Sequence, residues 1–434
     1  MRGSRLSGRA LWPFGRSFTL LWAGQFLSQV GDQFLFIAGL SLLDRLTDSR
    51  AAFGGLALAI TLPQILFGLW GGVFADRWPR RYVLIGSDLA RALIVLGALT
   101  VQTNADLWRM YPLASALAIA GLFFYPARNA VLPALVPPAH LLQANTMLQA
   151  SYILALVAGG ISAGVFVDAF GPYAAFVFDS VTFLVSALTL AWIHLPESAD
   201  RPQPAQRNSP GHDLLEGLRF VWTHRSLRGV TAITPFATVG IGVVQVLGLA
   251  FLAEVLQVRA GGFGLTLAMM GIGLALGLGI VPLLGRRIPI HLVVGLFLAA
   301  AGLSTVAFSQ AQTFAFVLLA AFAMGLCVVV ARAGLATLIQ EMTPNPLRGR
   351  VDSLVNLMVN GALALAQGGA GLFGQLWGPR PVLMGAGLLM VLVGGFAALG
   401  LRGLRVLPSE GTAPAISGPE KGGLLPPPRP PHPR

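Results

Sequence analysis

Gln25, Gln29 and Asp32 fall at i, i+4 and i+7 with Ser28 beside them, so a helix through this stretch carries one polar stripe. The residues around the stripe are apolar over roughly the 20 residues needed to cross a bilayer. A charged Asp near the middle of such a helix costs about 2.5–3.5 kcal/mol on insertion scales, so it must face water or a partner. Two roles are open to Asp32: an acid that takes up and releases a proton in a wet cavity, or a hydrogen-bonded structural group. A second acid, Asp88, stands three residues before Arg91 in a later apolar stretch, which puts the two on one helix face as an ion pair. Asp179, beside Ser180 and Thr182, is a third acid in an apolar segment and suits packing as well as it suits function.

Other chemistry is not encoded. No nucleophile–base pair can be named, so an enzyme is disfavoured. The Gly-x-x-x-x-Gly-Lys-Ser/Thr loop that cradles nucleotide phosphates does not occur, so ATP is not the energy source within this chain. The six histidines and the single cysteine, Cys327, show no metal-ligand spacing, and no cofactor is expected. Two amide stripes remain: Asn145, Gln149 and Tyr152, and Asn356, Asn360 and Gln367. Each can bridge neighbouring helices or line a cavity.

The elements that must carry these residues are membrane helices. Of 434 residues 55% are hydrophobic and 11% charged, against about 25% charged in soluble domains. The apolar runs are unbroken, without the alternation a membrane barrel requires. Twelve spans are predicted near 17–43, 54–75, 82–103, 107–127, 143–168, 172–195, 229–257, 262–284, 288–309, 312–333, 352–376 and 380–402. The first lacks a small-residue cleavage site and is broken by Gln25, Gln29 and Asp32, so it reads as a span and not a signal peptide. All but six of the 29 basic residues lie in the termini or in the even-numbered connectors. The exceptions are Arg45, Arg50, Arg91, Arg109, Arg259 and Arg380. Positive charge marks the cytoplasmic side, which puts a multi-pass protein in the cell membrane with both termini cytoplasmic. The charge sits in connectors and tails, not on a basic face, so nucleic acid is not the partner.

The two halves repeat. Ala163-Gly164-Val165-Phe166 with Gly171-Pro172 recurs 207 positions later as Ala370-Gly371-Leu372-Phe373 with Gly378-Pro379. Ala127-Arg128 recurs 204 positions later as Ala331-Arg332. An all-α membrane protein follows, with two six-helix bundles related by a pseudo-twofold axis along the membrane normal. The predicted divisions are a cytoplasmic segment 1–16, bundles at 17–195 and 229–402, a linker at 196–228, and a proline-rich, disordered tail at 403–434. Within the linker, residues 213–222 read as an amphipathic helix on the membrane surface.

Between predicted spans two and three the chain reads Gly72-Val73-Phe74-Ala75-Asp76-Arg77-Trp78-Pro79-Arg80-Arg81. This resembles the major facilitator superfamily signature Gly-x-x-x-Asp-Arg-x-Gly-Arg-Lys/Arg, with Pro79 in place of the second glycine. Ser28-Gln29-Val30-Gly31-Asp32, Ser87-Asp88-Leu89-Ala90-Arg91, and Pro126-Ala127-Arg128 through Leu132-Pro133 to Asn145 are similar to the branch containing macrolide-efflux and enterobactin-export proteins. The resemblance implies a secondary transporter whose halves rock about a site between spans one, four, seven and ten. It makes Asp32 the expected proton-coupling acid, with Gln25, Ser28, Gln29, Thr238 and Gln245 as expected cavity residues. Gly72, Asp76, Arg77, Arg80 and Arg81 become a gate latch, or else simple topogenic charge, with Asp88 and Arg91 as a nearby pair. Arg128 and Arg332 are expected at corresponding ends of spans four and ten, as anchors or as gating partners of Glu341 or Asp352. A cavity with one acid among apolar, aromatic and amide walls suits bulky amphipathic cargo. The expectation is a monomeric exporter of such molecules in exchange for protons. A siderophore exporter or lysolipid flippase on the same fold stays open, as does a non-transporting receptor or scaffold.

Overall fold

The computed structural model describes residues 14–75, 78–195, 210–284 and 288–400. Asp76 and Arg77 of the loop signature, most of the linker's first part, and the tail lie outside the described residues. Among the described residues twelve helices are long and apolar enough to cross a membrane. Spans one to six are Arg16–Leu46, Arg50–Ala75, Arg80–Leu96, Met110–Leu135, Leu141–Phe170 and Pro172–Ala191. Span seven joins helices Arg225–Ile233 and Val239–Leu256 through a 3-10 turn, Thr234–Thr238, where Pro235 has no N–H to give the ladder. Spans eight to twelve are Ala260–Leu284, Ile290–Ser309, Phe314–Met342, Arg348–Trp377 and Pro379–Gly400. A further helix, Pro210–Thr223, precedes span seven. No strand occurs among the described residues, and exposed side chains such as Leu93, Leu188, Leu303 and Leu392 face outward as a lipid-facing surface.

Spans four and ten run well past their predicted ends. Pro126 and Pro133 sit inside span four, as neighbouring helices can re-satisfy the backbone groups a membrane proline frees. Arg128 and Arg332 are therefore not at helix ends; they lie about 10 Å and 15 Å inside them at 1.5 Å per residue.

Packing repeats with the sequence. Span one packs on five and six, three on four and six, and two on four; in the second bundle seven packs on eleven and twelve, nine on ten and twelve, and eight on ten. The repeated Gly-Pro pairs have a physical cause. Gly171 and Gly378 adopt φ of 82° and 85°, a region glycine enters at little cost, and each closes the preceding helix through its N–H. The next residue, Pro172 or Pro379, then starts a new helix where its missing N–H is not needed.

The bundles meet along spans five and eight and along spans two and eleven. A Cβ added at Gly164 would lie 2.7 Å from the Gly261 Cα, and one at Gly54 would lie 2.8 Å from the Gly371 Cα. These crossings are the same pair twice, since Gly261 follows Gly54 by the repeat distance and Gly371 follows Gly164. Side chains cap helix starts across the seam. The Gly261 N–H donates to Asp168 Oδ2 at 2.9 Å, and the Arg50 N–H donates to Gln375 Oε1 at 2.7 Å. Both donors belong to the first turn of a helix, where no intrahelical acceptor exists. Asp168 and Gln375 again differ by the repeat distance. Arg50 adds a fork to Glu254, with Nε to Oε1 at 3.0 Å and Nη2 to Oε2 at 2.5 Å.

Candidate functional site

A cavity of about 770 Å³ lies between the bundles. It reaches Gly68 and Ser353, towards the end that carries the linker. Every hydrogen bond between described residues of the two bundles lies at mid-membrane or nearer the opposite end. At mid-depth Thr61 Oγ1 donates to Gln367 Oε1 at 2.8 Å, and Gln367 Nε2 donates to Gln245 Oε1 at 3.1 Å. That amide chain joins spans two, eleven and seven in the cavity wall. The structure is thus closed at one end and open at the linker end.

Asp32 lines this cavity, half-buried, with no hydrogen bond to another side chain or to backbone among the described residues. Gln29, Gln33, Arg91, Tyr125 and Tyr152 line the same cavity. Arg91 bonds Asp88 Oδ1, both groups being buried, and its guanidinium lies between the rings of Phe124 and Phe183 at 4.5 and 4.6 Å. Asp179 reaches the same region from span six. A Cβ at Gly31 would collide with Asp179 Oδ1 and Thr182 Oγ1, so glycine next to Asp32 lets span six approach. Thr182 Oγ1 donates to Asp179 Oδ1 at 3.3 Å. Of the three carboxylates only Asp88 is in contact with the Arg91 guanidinium.

The cluster is under-bonded. Among the described residues five buried side-chain atoms have no hydrogen-bond partner: Gln29 Oε1, Asp88 Oδ2, Arg91 Nε, Asp179 Oδ2 and Ser186 Oγ. All five belong to spans one, three and six around Asp32. Buried polar atoms are nearly always paired, so a set of exceptions in one place singles out this cluster as the candidate site.

The remaining predicted residues fall in several places. Gln29 and Gln245 line the cavity, whereas Gln25, Ser28 and Thr238 do not: all three are buried within their bundles. Below Gln29 the ends of spans four and five close over span one, where Trp22 Nε1 donates to Ser151 Oγ at 2.5 Å and Phe18 packs on Leu132, Val136 and Leu148. The Thr238 hydroxyl bonds Pro235 O at 2.8 Å in the 3-10 turn. Span ten gives the cavity no residue, and span eleven gives it Asn356, Asn360 and Gln367, so the second amide stripe both bridges and lines.

Of the loop signature, Gly72 lies in the last turns of span two. Arg80 Nη1 donates to Ala130 O at 3.4 Å and Arg81 Nη2 to Ala191 O, tying the start of span three to the ends of spans four and six. Arg128 sits over the Tyr125 ring at 5.2 Å and bonds Asn129 Oδ1, while Arg332 is exposed within span ten. Neither forms an ion pair with Glu341 or Asp352 in this conformation. Tyr125 lines the cavity without having been singled out in the sequence, Tyr152 is the one member of its stripe to line it, and Asp179 lies buried behind it. The signal for Asp179 was its charge at mid-span.

Twelve helices in two repeated bundles, a polar-centred cavity between them and closure at one end define a multi-pass membrane carrier that works by alternating access. The sequence profile described as Major Facilitator Superfamily matches residues 21–366, and the chain belongs to that family. It is 26% identical over 396 residues to the uncharacterized MFS-type transporter YfiS of Bacillus subtilis, covering 88% of this chain and 92% of that protein. It is also 26% identical over 212 residues to macrolide efflux protein A of Streptococcus pyogenes, covering 48% and 52% of the two chains. The match to the lysophospholipid transporter LplT of Klebsiella pneumoniae is 26% over 407 residues, 90% and 97% of the two. The crystal structure of a D323A mutant of the nucleoside transporter NupG superposes with a TM-score of 0.76 at 14% identity, over 89% of this chain and 99% of that one.

Proposed function

We propose that this protein is a proton-coupled exporter of bulky amphipathic small molecules, with Asp32 as the group that trades a proton for cargo. The observation that carries this is the cluster itself. Three carboxylates, Asp32, Asp88 and Asp179, come from spans one, three and six, Arg91 bonds Asp88 alone of the three, and only Asp32 of the three opens onto the cavity. An unpaired buried carboxylate is costly, so protons are the counter-charge the cluster can gain and lose. A cargo that occupies the cavity beside Asp32 competes with that proton, and competition at one site is what exchange requires. The lining runs from Leu35, Phe36 and Ile60 to Tyr125 and Tyr152, with amides as its polar handles, and this favours large apolar molecules over sugars.

The basic linker end is the cytoplasmic side in this reading, so the observed conformation faces inward, ready to load. The half-length likeness to a macrolide efflux protein supports export. A second reading, movement of single-chain lipids, draws on the nearly full-length likeness to a lysophospholipid transporter.

The test is dye accumulation in cells overproducing the protein. Accumulation is expected to fall, to recover when a protonophore collapses the gradient, and to stay high for Asp32→Asn. Uphill, gradient-driven export by Asp32→Asn would remove the proposal.

A further inference from the structure

The helix Pro210–Thr223, which leads into span seven, has two apolar faces. Its inner face buries Gly217 and Val221 against span eleven, and a Cβ at Gly217 would lie 2.7 Å from the Arg350 carbonyl oxygen. Glu216 Oε1 meets Arg350 Nη1 at 2.5 Å, pinning the helix to the start of the same span. Its outer face presents Leu215, Leu218 and Trp222, exposed by 66, 42 and 67%. At i, i+3 and i+7 these form one strip. A helix bound for water would put polar residues there. Beside the strip stand Arg219, Arg225 and Arg228, all exposed and none in an ion pair with a described carboxylate. The Arg228 guanidinium lies over the Trp222 ring at 5.6 Å, which keeps a cation beside the aromatic. Leucines and a tryptophan in one row, edged by arginines, at the face where the odd-numbered spans begin and the even-numbered ones end, match the boundary of a bilayer in both polarity and charge.

We propose that this helix is a sensor of anionic lipid, held in the headgroup layer by Leu215, Leu218 and Trp222 and by Arg219, Arg225 and Arg228, which passes the pull to span eleven through Glu216 and Arg350. Span eleven carries Asn356, Asn360 and Gln367 of the cavity wall and the Gly371 crossing of the closed seam. A force on its first turn therefore acts on the tilt of the whole second bundle. Anionic headgroups, by docking the helix, set the balance between the inward-facing and outward-facing states. Each arginine at such a surface contributes about 1 kcal/mol, which is a factor of about five in an equilibrium.

The experiment uses the full chain in nanodiscs of phosphatidylcholine, alone or with phosphatidylglycerol. A nitroxide on Leu215→Cys reads depth, through its contact with dissolved oxygen against a water-soluble nickel complex. Nitroxides on Leu142→Cys and Gln340→Cys read the opening of the cleft by their separation. The label at 215 is expected in the oxygen-rich layer, and phosphatidylglycerol is expected to change the ratio of the two separations at least about fivefold. The triple variant Arg219→Gln, Arg225→Gln, Arg228→Gln should lose that response. Glu216→Gln should keep the label in the bilayer yet lose the response, because the helix is then uncoupled from span eleven. A label at 215 that meets only the nickel complex would overturn the proposal. So would separations that ignore lipid charge, or a triple variant that responds like the natural chain. Dye export has no part in the readout, so the outcome is independent of the cargo and of the coupling ion.

Discussion

Arg91 is the residue on which the acidic cluster balances. Its guanidinium bonds Asp88 and is held between Phe124 and Phe183, yet its Nε has no partner. Removing one member of a buried pair leaves an uncompensated charge, at a cost of about 3–5 kcal/mol, whereas removing both can be nearly neutral. Arg91→Met is therefore expected to lower the thermal unfolding midpoint in detergent sharply, and adding Asp88→Asn should recover most of the loss. If the double variant is as unstable as the single one, Asp88 is not the charge that Arg91 compensates. Asp32 and the Asp88–Arg91 pair were legible from residue type and spacing alone. Gln25 and Ser28 misled, because a helix stripe says which side is polar and not how far along it the cavity extends. The extra turns of span four, with the start of span five, cover that stretch, and the turns of span four were hidden by Pro126 and Arg128, which look like a helix end. The place of Asp179 depended on Gly31, whose missing side chain admits span six; no single-helix pattern records a contact between helices.

At the scale of elements the seam is the part with mechanical consequences. Asp168 and Gln375 each cap a helix of the opposite bundle, so the caps exist only while this end is shut. A lost cap costs about 1 kcal/mol, and Asp168→Ala should shift the conformational ratio towards opening by about fivefold. Gly164→Leu should shift it further, since its side chain would start 2.7 Å from the Gly261 backbone. Distances between nitroxides on Phe170→Cys and Arg259→Cys check both. Unchanged distances in Gly164→Leu would show that the seam is not what holds this end. The repeat that builds this seam was visible in the sequence as a constant offset. That its glycines meet across the bundles was not, since an offset relates two halves without saying which surfaces touch.

For the whole molecule, the distribution of basic residues makes a directional statement. Gln102 is exposed in the connector between spans three and four, and Leu142 is exposed at the opposite, linker end. The natural chain has one cysteine, Cys327, which is buried, so introduced thiols report with little background. In intact cells Gln102→Cys should react with an impermeant maleimide, and Leu142→Cys should react only after permeabilisation. The reverse pattern would invert the orientation and, with it, the inward-facing assignment. The twelve spans were readable because hydrophobicity is a local property of the chain. The state of the cavity depends on two bundles at once and was not.

The closed end is zipped largely by glycine backbones that are already fixed within helices. Those crossings freeze no rotatable side chain, so rotamer entropy is lost on closure mainly at Arg50, Glu254, Asp168 and Gln375. Heat should therefore bias the open–shut ratio less here than at a gate made of long side chains, and the carrier would keep its duty cycle over a wide range of growth temperatures.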